Sequence, residues 1–141
     1  MGLRLNIQGA DSISLDEHSI ISCKFLTDTP DDSNARSTDV VNTMIIEGKI
    51  LTAVGGEAAD DTMKIAKWSC VRAESSDSYR EATIEVVYAN QIIRKIFFPN
   101  AFVVDYEEHY FDTEGVGTFT LVIRQKKDKF ELTTIEGGYG F

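Results

Sequence analysis

The chain has 141 residues, 43% of them hydrophobic, with 23 acidic against 14 basic side chains and a formal net charge of −9. That length suits one domain with a real core, and the acidic balance excludes charge-driven, nonspecific nucleic-acid binding, which needs a basic surface. No apolar run approaches the ~20 residues of a membrane span, and the opening Met-Gly-Leu-Arg-Leu-Asn lacks the apolar stretch of a signal peptide.

Leu3, Leu5 and Ile7 alternate with Arg4, Asn6 and Gln8, which predicts an opening strand stopped at Gly9. Ser12-Ile-Ser-Leu-Asp either extends it or forms a short partner. His18–Thr27 is a second strand with Ile21, Cys23 and Phe25 on one face. A long polar loop follows at 27–39, TDTPDDSNARSTD, with Pro30, four aspartates and Arg36 as its one cation. Its length and polarity mark it as functional or disordered. From Val40 to Thr52 the alternation returns, with Val40, Met44, Ile46 and Ile50 on one face.

Gly55-Gly56 breaks that strand, and Ala59–Val71 reads as the one helix, with Asp60 as N-cap. Its wheel has two apolar sides. Ala59, Met63, Ala66 and Cys70 form one stripe, while Ile65 and Trp68 fall roughly opposite, which suggests a helix buried twice. After the polar 72–78 segment, Tyr79–Tyr88 is a strand with Ala82, Ile84, Val86 and Tyr88 inward. Ala89-Asn90 turns it into Gln91–Phe98, apolar on both faces.

Pro99-Asn100 reads as a tight connection into a strand in which Phe102, Val104, Tyr106 and Tyr110 oppose Asp105, Glu107 and His109. The glycines of Asp112–Gly117 suit the next turn. Phe119, Leu121 and Ile123 then share the inward face of another strand, and Phe130–Ile135 is the last before a Gly-rich tail. The fold class is therefore mainly β: a closed or nearly closed β-barrel of two packed antiparallel sheets, with one α-helix and a long extended loop, in a single domain spanning 1–141.

Chemistry is hard to place on this pattern. Glu107-Glu108-His109 is not a zinc motif, and no nucleophile elbow, P-loop or dinucleotide fingerprint occurs. Asp28, Asp32 and Asp39 take the first, fifth and twelfth places of a calcium loop, but Pro30 and Ser33 spoil the third and sixth. Cys23 and Cys70 read as reduced core thiols of a cytoplasmic protein. No cofactor and no catalytic site are expected. Two other readings stay open. One is a barrel that binds a small ligand or carbohydrate in a pocket lined by Tyr79, Tyr88, Tyr106 and Tyr110. The other is an enzyme using Glu108 or His109.

The layout, together with Asp28–Asp39 and its Asn-Ala-Arg-Ser-Thr-Asp, and with Arg94-Lys-Ile-Phe-Phe-Pro-Asn-Ala-Phe-Val-Val-Asp-Tyr, resembles the tube proteins of contractile injection systems. These are the haemolysin-coregulated proteins of type VI secretion and the tail-tube proteins of phages, Firmicutes members included. The resemblance implies a non-enzymatic protomer of stacked hexameric rings that form a hollow tube. It implies the chain itself as partner, along with sheath, spike or baseplate proteins, and no nucleic-acid specificity or membrane insertion. It also implies cytoplasmic assembly and export or release within an injection particle. Carried over residue by residue, Asp28, Asp31, Asp32, Arg36 and Asp39 become ring-stacking contacts, with Arg36 giving the acidic loop a defined partner. Ile65, Trp68, Ile93, Lys95 and Phe97 become the lateral interface.

Overall fold

The computed structural model describes residues 1–28, 41–50, 61–72, 75–112, 117–125 and 133–140. Period-two alternation sets the strands β1 (Gly2–Gln8), β2 (Ser12–Leu15), β3 (Ile20–Asp28), β4 (Val41–Ile50), β5 (Arg80–Tyr88), β6 (Gln91–His109) and β7 (Gly117–Gln125). Two short pieces, β8 (Thr134–Glu136) and β9 (Tyr139–Gly140), follow. Among the described residues the one α-helix is α1 (Asp61–Ser69), and a 3-10 turn at Ser76–Ser78 leads into β5.

Every pairing is antiparallel, in the order β2-β1-β5-β6-β7-β4-β3, with β8 and β9 also on β6. The end strands β2 and β3 are not paired with each other, so the barrel is nearly closed. The sheet folds over on itself. Phe25 of β3 and Phe98 of β6 stand three places apart in the ladder, yet their ring centroids are 6.2 Å apart. Inside lie Leu5, Ile7, Ile13, Met44, Ile46, Ile84, Phe98, Phe119, Leu121 and Ile123, all essentially without solvent contact. Such a core supplies the main stabilising term, at about 1.5–3 kcal/mol per large apolar side chain.

Pro99-Asn100 is not a turn. β6 runs through it for 19 residues, pairing with β5 along its first half and with β7 along its second. Proline lacks the N–H that a ladder needs, so pairing to β5 slips here: Ala82 faces Phe98, while Arg80 faces Ala101. The Asn100 N–H is then satisfied by the Gln125 side chain, donating to Oε1 at 3.0 Å. The strand changes partners without reversing.

Three further slips overturn strict alternation, one of them between Ile20 and Ser22 on β3, where Ile20 is buried and Ile21, expected on the inward face, is exposed. A bulge at Val104 sets Val103 opposite Ile123 and Asp105 opposite Val122, so Val103 and Tyr106 meet the core while Val104 is exposed. Another slip, between Val86 and Val87, leaves Tyr88 on the surface instead of inside. Beyond it, Ala89 (φ 52°) and Asn90 (φ 61°) make the two-residue turn, both left-handed as the twist of a tight hairpin demands.

The helix buries the opposite side from the alanine stripe. Thr62, Ile65 and Trp68 face inward, with Ile65 and Trp68 at 0% and 1% exposure, whereas Met63 and Cys70 face solvent. Volume decides this. Trp68 packs into the core, donates its Nε1–H to the Ser78 carbonyl at 3.1 Å, and lies under the Arg80 guanidinium at 5.2 Å. Arg80 is itself buried, bound through Nε and Nη2 to both oxygens of Asp77 at 3.2 and 2.9 Å. Its stem packs so closely on Gly9 that a Cβ there would sit 2.7 Å from Arg80 Cγ. The Asp60 cap lies outside the described residues.

Candidate assembly surfaces

The outward side of β1, β5, β6 and β8 is polar because each strand sends its alternate residues there. Register sets Arg4 beside Glu85, Glu85 beside Lys95, and Lys95 beside Glu136, a row of alternating charge across four strands. The next row is Asn6, Thr83, Phe97 and Thr134. Arg4, Asn6, Thr83, Glu85 and Lys95 of these rows line a shallow depression of about 310 Å³.

A second surface is apolar. Between β3 on one side and β6 and β8 on the other lies a groove of about 340 Å³, with Cys23, Phe25, Ile93, Ile96 and Ile135 in its lining and Arg94 among them. Ile93 is 37% exposed and Ile135 51%. Burial in this lining pushes the Cys23 thiol up to about 11. Cys70, read from sequence as a core thiol, is instead exposed.

The sheet's two terminal edges differ. On β2 the Asp61 carboxylate accepts the Ser14 N–H at 2.8 Å, and Lys64 Nζ donates to the Ser12 carbonyl at 3.1 Å. The two side chains are ion-paired at 3.3 Å. Together they present one acceptor and one donor to a strand edge, as a single backbone residue of a neighbouring strand would. That closes β2 to further pairing. β3 is hydrogen-bonded only to β4 among the described strands.

At the far end of β6, Glu108 accepts hydrogen bonds from Tyr106 Oη and Tyr110 Oη, both at 2.6 Å. His109 stacks on Phe111 with ring centroids 4.3 Å apart. The result is an exposed, ordered aromatic tip flanked by carboxylates.

The residues singled out from sequence disperse across these surfaces. Ile65 and Trp68 are buried in the protomer's own core. Lys95 and Phe97 sit on the polar face, and Ile93 lines the groove. Asp31, Asp32, Arg36 and Asp39 lie outside the described residues; Asp28 ends β3, its backbone opposite Val41. The four tyrosines are dispersed: Tyr79 packs edge-on against Phe102, Tyr88 borders the β5–β6 turn, and Tyr106 and Tyr110 donate to Glu108. No group of three His, Cys, Asp or Glu side chains among the described residues is placed to hold a metal ion. No helix among them is long and apolar enough to cross a membrane. Sequence reasoning missed the groove and the edge cap. The groove joins residues distant in sequence, and the cap joins Ser12 and Ser14 to Asp61 and Lys64.

No protein-family model matches the chain, and no curated protein does. Solved structures do. Hcp1 from Flavobacterium johnsoniae superposes with a TM-score of 0.55 at 15% identity, over 96% of each chain. A chain of the anti-feeding prophage baseplate gives 0.53 at 12% identity, over 96% of this chain and 92% of that one. A chain of the sheath-tube complex of an extracellular contractile injection system, PVC, gives 0.52 at 9%, over 96% and 88%. The chain thus shares its fold with Hcp1 and with chains of two contractile injection assemblies.

Proposed function

We propose that this chain is a structural protomer of a hollow inner tube, built of stacked hexameric rings, in a contractile-injection, phage-tail-like or type VI-like system. The observation that carries the reading is the match to Hcp1 over 96% of both chains. Surfaces fit the role: polar and charge-balanced on one side, apolar at the groove. The chain acts without catalysis or cofactor. Its partners are copies of itself and sheath, spike or baseplate components, as neighbours from sheath-tube and baseplate assemblies suggest. It assembles in the cytoplasm and leaves as part of a particle. Asp28, Asp31, Asp32, Arg36 and Asp39 make the contacts between rings, while Ile93, Lys95 and Phe97 contribute to contacts within a ring.

Light scattering coupled to size exclusion, with negative-stain electron microscopy, tests this. Rings or stacks at high protein concentration are expected. A strict monomer at every concentration, with no rings in the images, refutes it.

A further inference from the structure

We propose that the aromatic tip of β6 in one copy, Tyr110 and Phe111, seats in the apolar groove between β3 and β8 of the next copy. The inference rests on the self-assembly reading above and names the contact that carries it. The groove's volume of about 340 Å³ is that of a pocket for a compact apolar group. Its lining holds one charge, Arg94, which has no ion pair or hydrogen bond among the described residues. An apolar occupant with an anion at its margin, beside the exposed Arg94, fits this lining.

The same chain displays such a group. Tyr110 and Phe111 are 65% and 40% exposed, and Glu107, Glu108 and Asp112 beside them are exposed carboxylates. The tip is ordered in advance by the Tyr110–Glu108 hydrogen bond and the His109–Phe111 stack, which lowers the entropy lost on docking. For copies that each carry −9, a contact that sets local acid against local base also offsets their mutual repulsion. Tip and groove are different surfaces, so the contact is head-to-tail and propagates from copy to copy. The capped β2 edge fits this one-way geometry, since growth by strand pairing is closed there. Two aromatic side chains bury about 150–250 Å² each, short of the ~1,200–2,000 Å² of a stable interface. The tip is then the anchor of a larger surface.

Native Cys23, in the groove lining, makes the test direct. In a Cys70→Ser/Phe111→Cys chain, mild oxidation should yield disulfide-linked multimers whose cross-link maps to Cys23 and position 111, and adding Cys23→Ser should abolish them. Separately, Ile93→Glu and Phe111→Glu, both at exposed positions, should each leave folded monomers. Mixed together they should form dimers and nothing longer, since each keeps one intact half of the contact. Native assembly by Phe111→Glu, or assembled material without the Cys23 cross-link, overturns the contact and leaves the tube reading standing. A wild-type chain that never assembles overturns both.

Discussion

The Arg80–Asp77 pair gives the sharpest test of how this barrel is held at the helix end. The Arg80 side chain is 3% exposed and makes three hydrogen bonds to Asp77, two of them to its carboxylate, while Nη1 is buried without a partner. Removing one member of a fully buried pair costs about 3–5 kcal/mol, because the other charge is left in a poor solvent. Asp77 is 32% exposed, so water enters on that side, and we expect Asp77→Ala to cost about 2–3 kcal/mol. At about 3 °C per kcal/mol for a domain of this size, that lowers Tm by about 6–9 °C. Arg80→Met should behave differently. It keeps an unbranched stem against Gly9 and the Trp68 ring, and removes both the buried charge and the unpartnered Nη1. We expect a change within about 1 kcal/mol. Asp77→Ala/Arg80→Met should match Arg80→Met alone, since no charge is then stranded. Urea unfolding followed by circular dichroism measures all three. A larger loss for Arg80→Met than for Asp77→Ala would refute the reasoning, because it would make the ion pair a net source of stability.

Three other outcomes follow from the same geometry. Trp68→Ala should cost about 3–5 kcal/mol, whereas Met63→Glu on the solvent side of α1 should stay within about 0.5 kcal/mol; chemical denaturation separates them, and equal losses would contradict the helix orientation. Ala89→Gly should stabilise by about 0.5–1 kcal/mol, because alanine pays a left-handed penalty at φ 52° that glycine escapes, read as a raised denaturation midpoint. Maleimide at pH 8 should label Cys70 first. Cys23 stays a neutral thiol until pH nears 11, while in the unfolded chain it ionises near 9, so its contribution to stability is full below pH 9 and lost as pH rises towards 11. A pH series of unfolding curves on the wild type and Cys23→Ser isolates that contribution.

Much of this fold was legible in the sequence, because a barrel strand with one wet face writes itself in period two. β1, β4 and β7 show that directly, with Leu5, Met44, Ile46 and Leu121 where alternation puts them. The errors cluster where a single residue shifts phase. Val104 and the Val86–Val87 slip each insert or drop one position, which flips every side chain beyond it, and no propensity marks the site. Pro99 misled for a related reason: a proline mid-strand reads as a stop unless a distant side chain, here Gln125, serves the neighbouring N–H. On α1 both faces read as apolar, and only packing against the core chose Trp68 over Met63. For the candidate surfaces, Lys95 and Phe97 were visible as outward residues, but the groove needed Ile135 beside Cys23, a proximity that only the closed sheet creates.

The uninterrupted run of β6 through Pro99 bears on mechanics. Residues 91–97 carry β5 on one flank and β8 and β9 on the other, and residues 101–109 carry β7. A pull along the strand axis therefore loads those hydrogen bonds together, in shear, and none can yield before its neighbours share the force. β3, bonded only to β4 among the described strands, can instead be peeled one bond at a time. Under tension the molecule should part first at β3, with β6 as the spar that keeps the remainder in one piece.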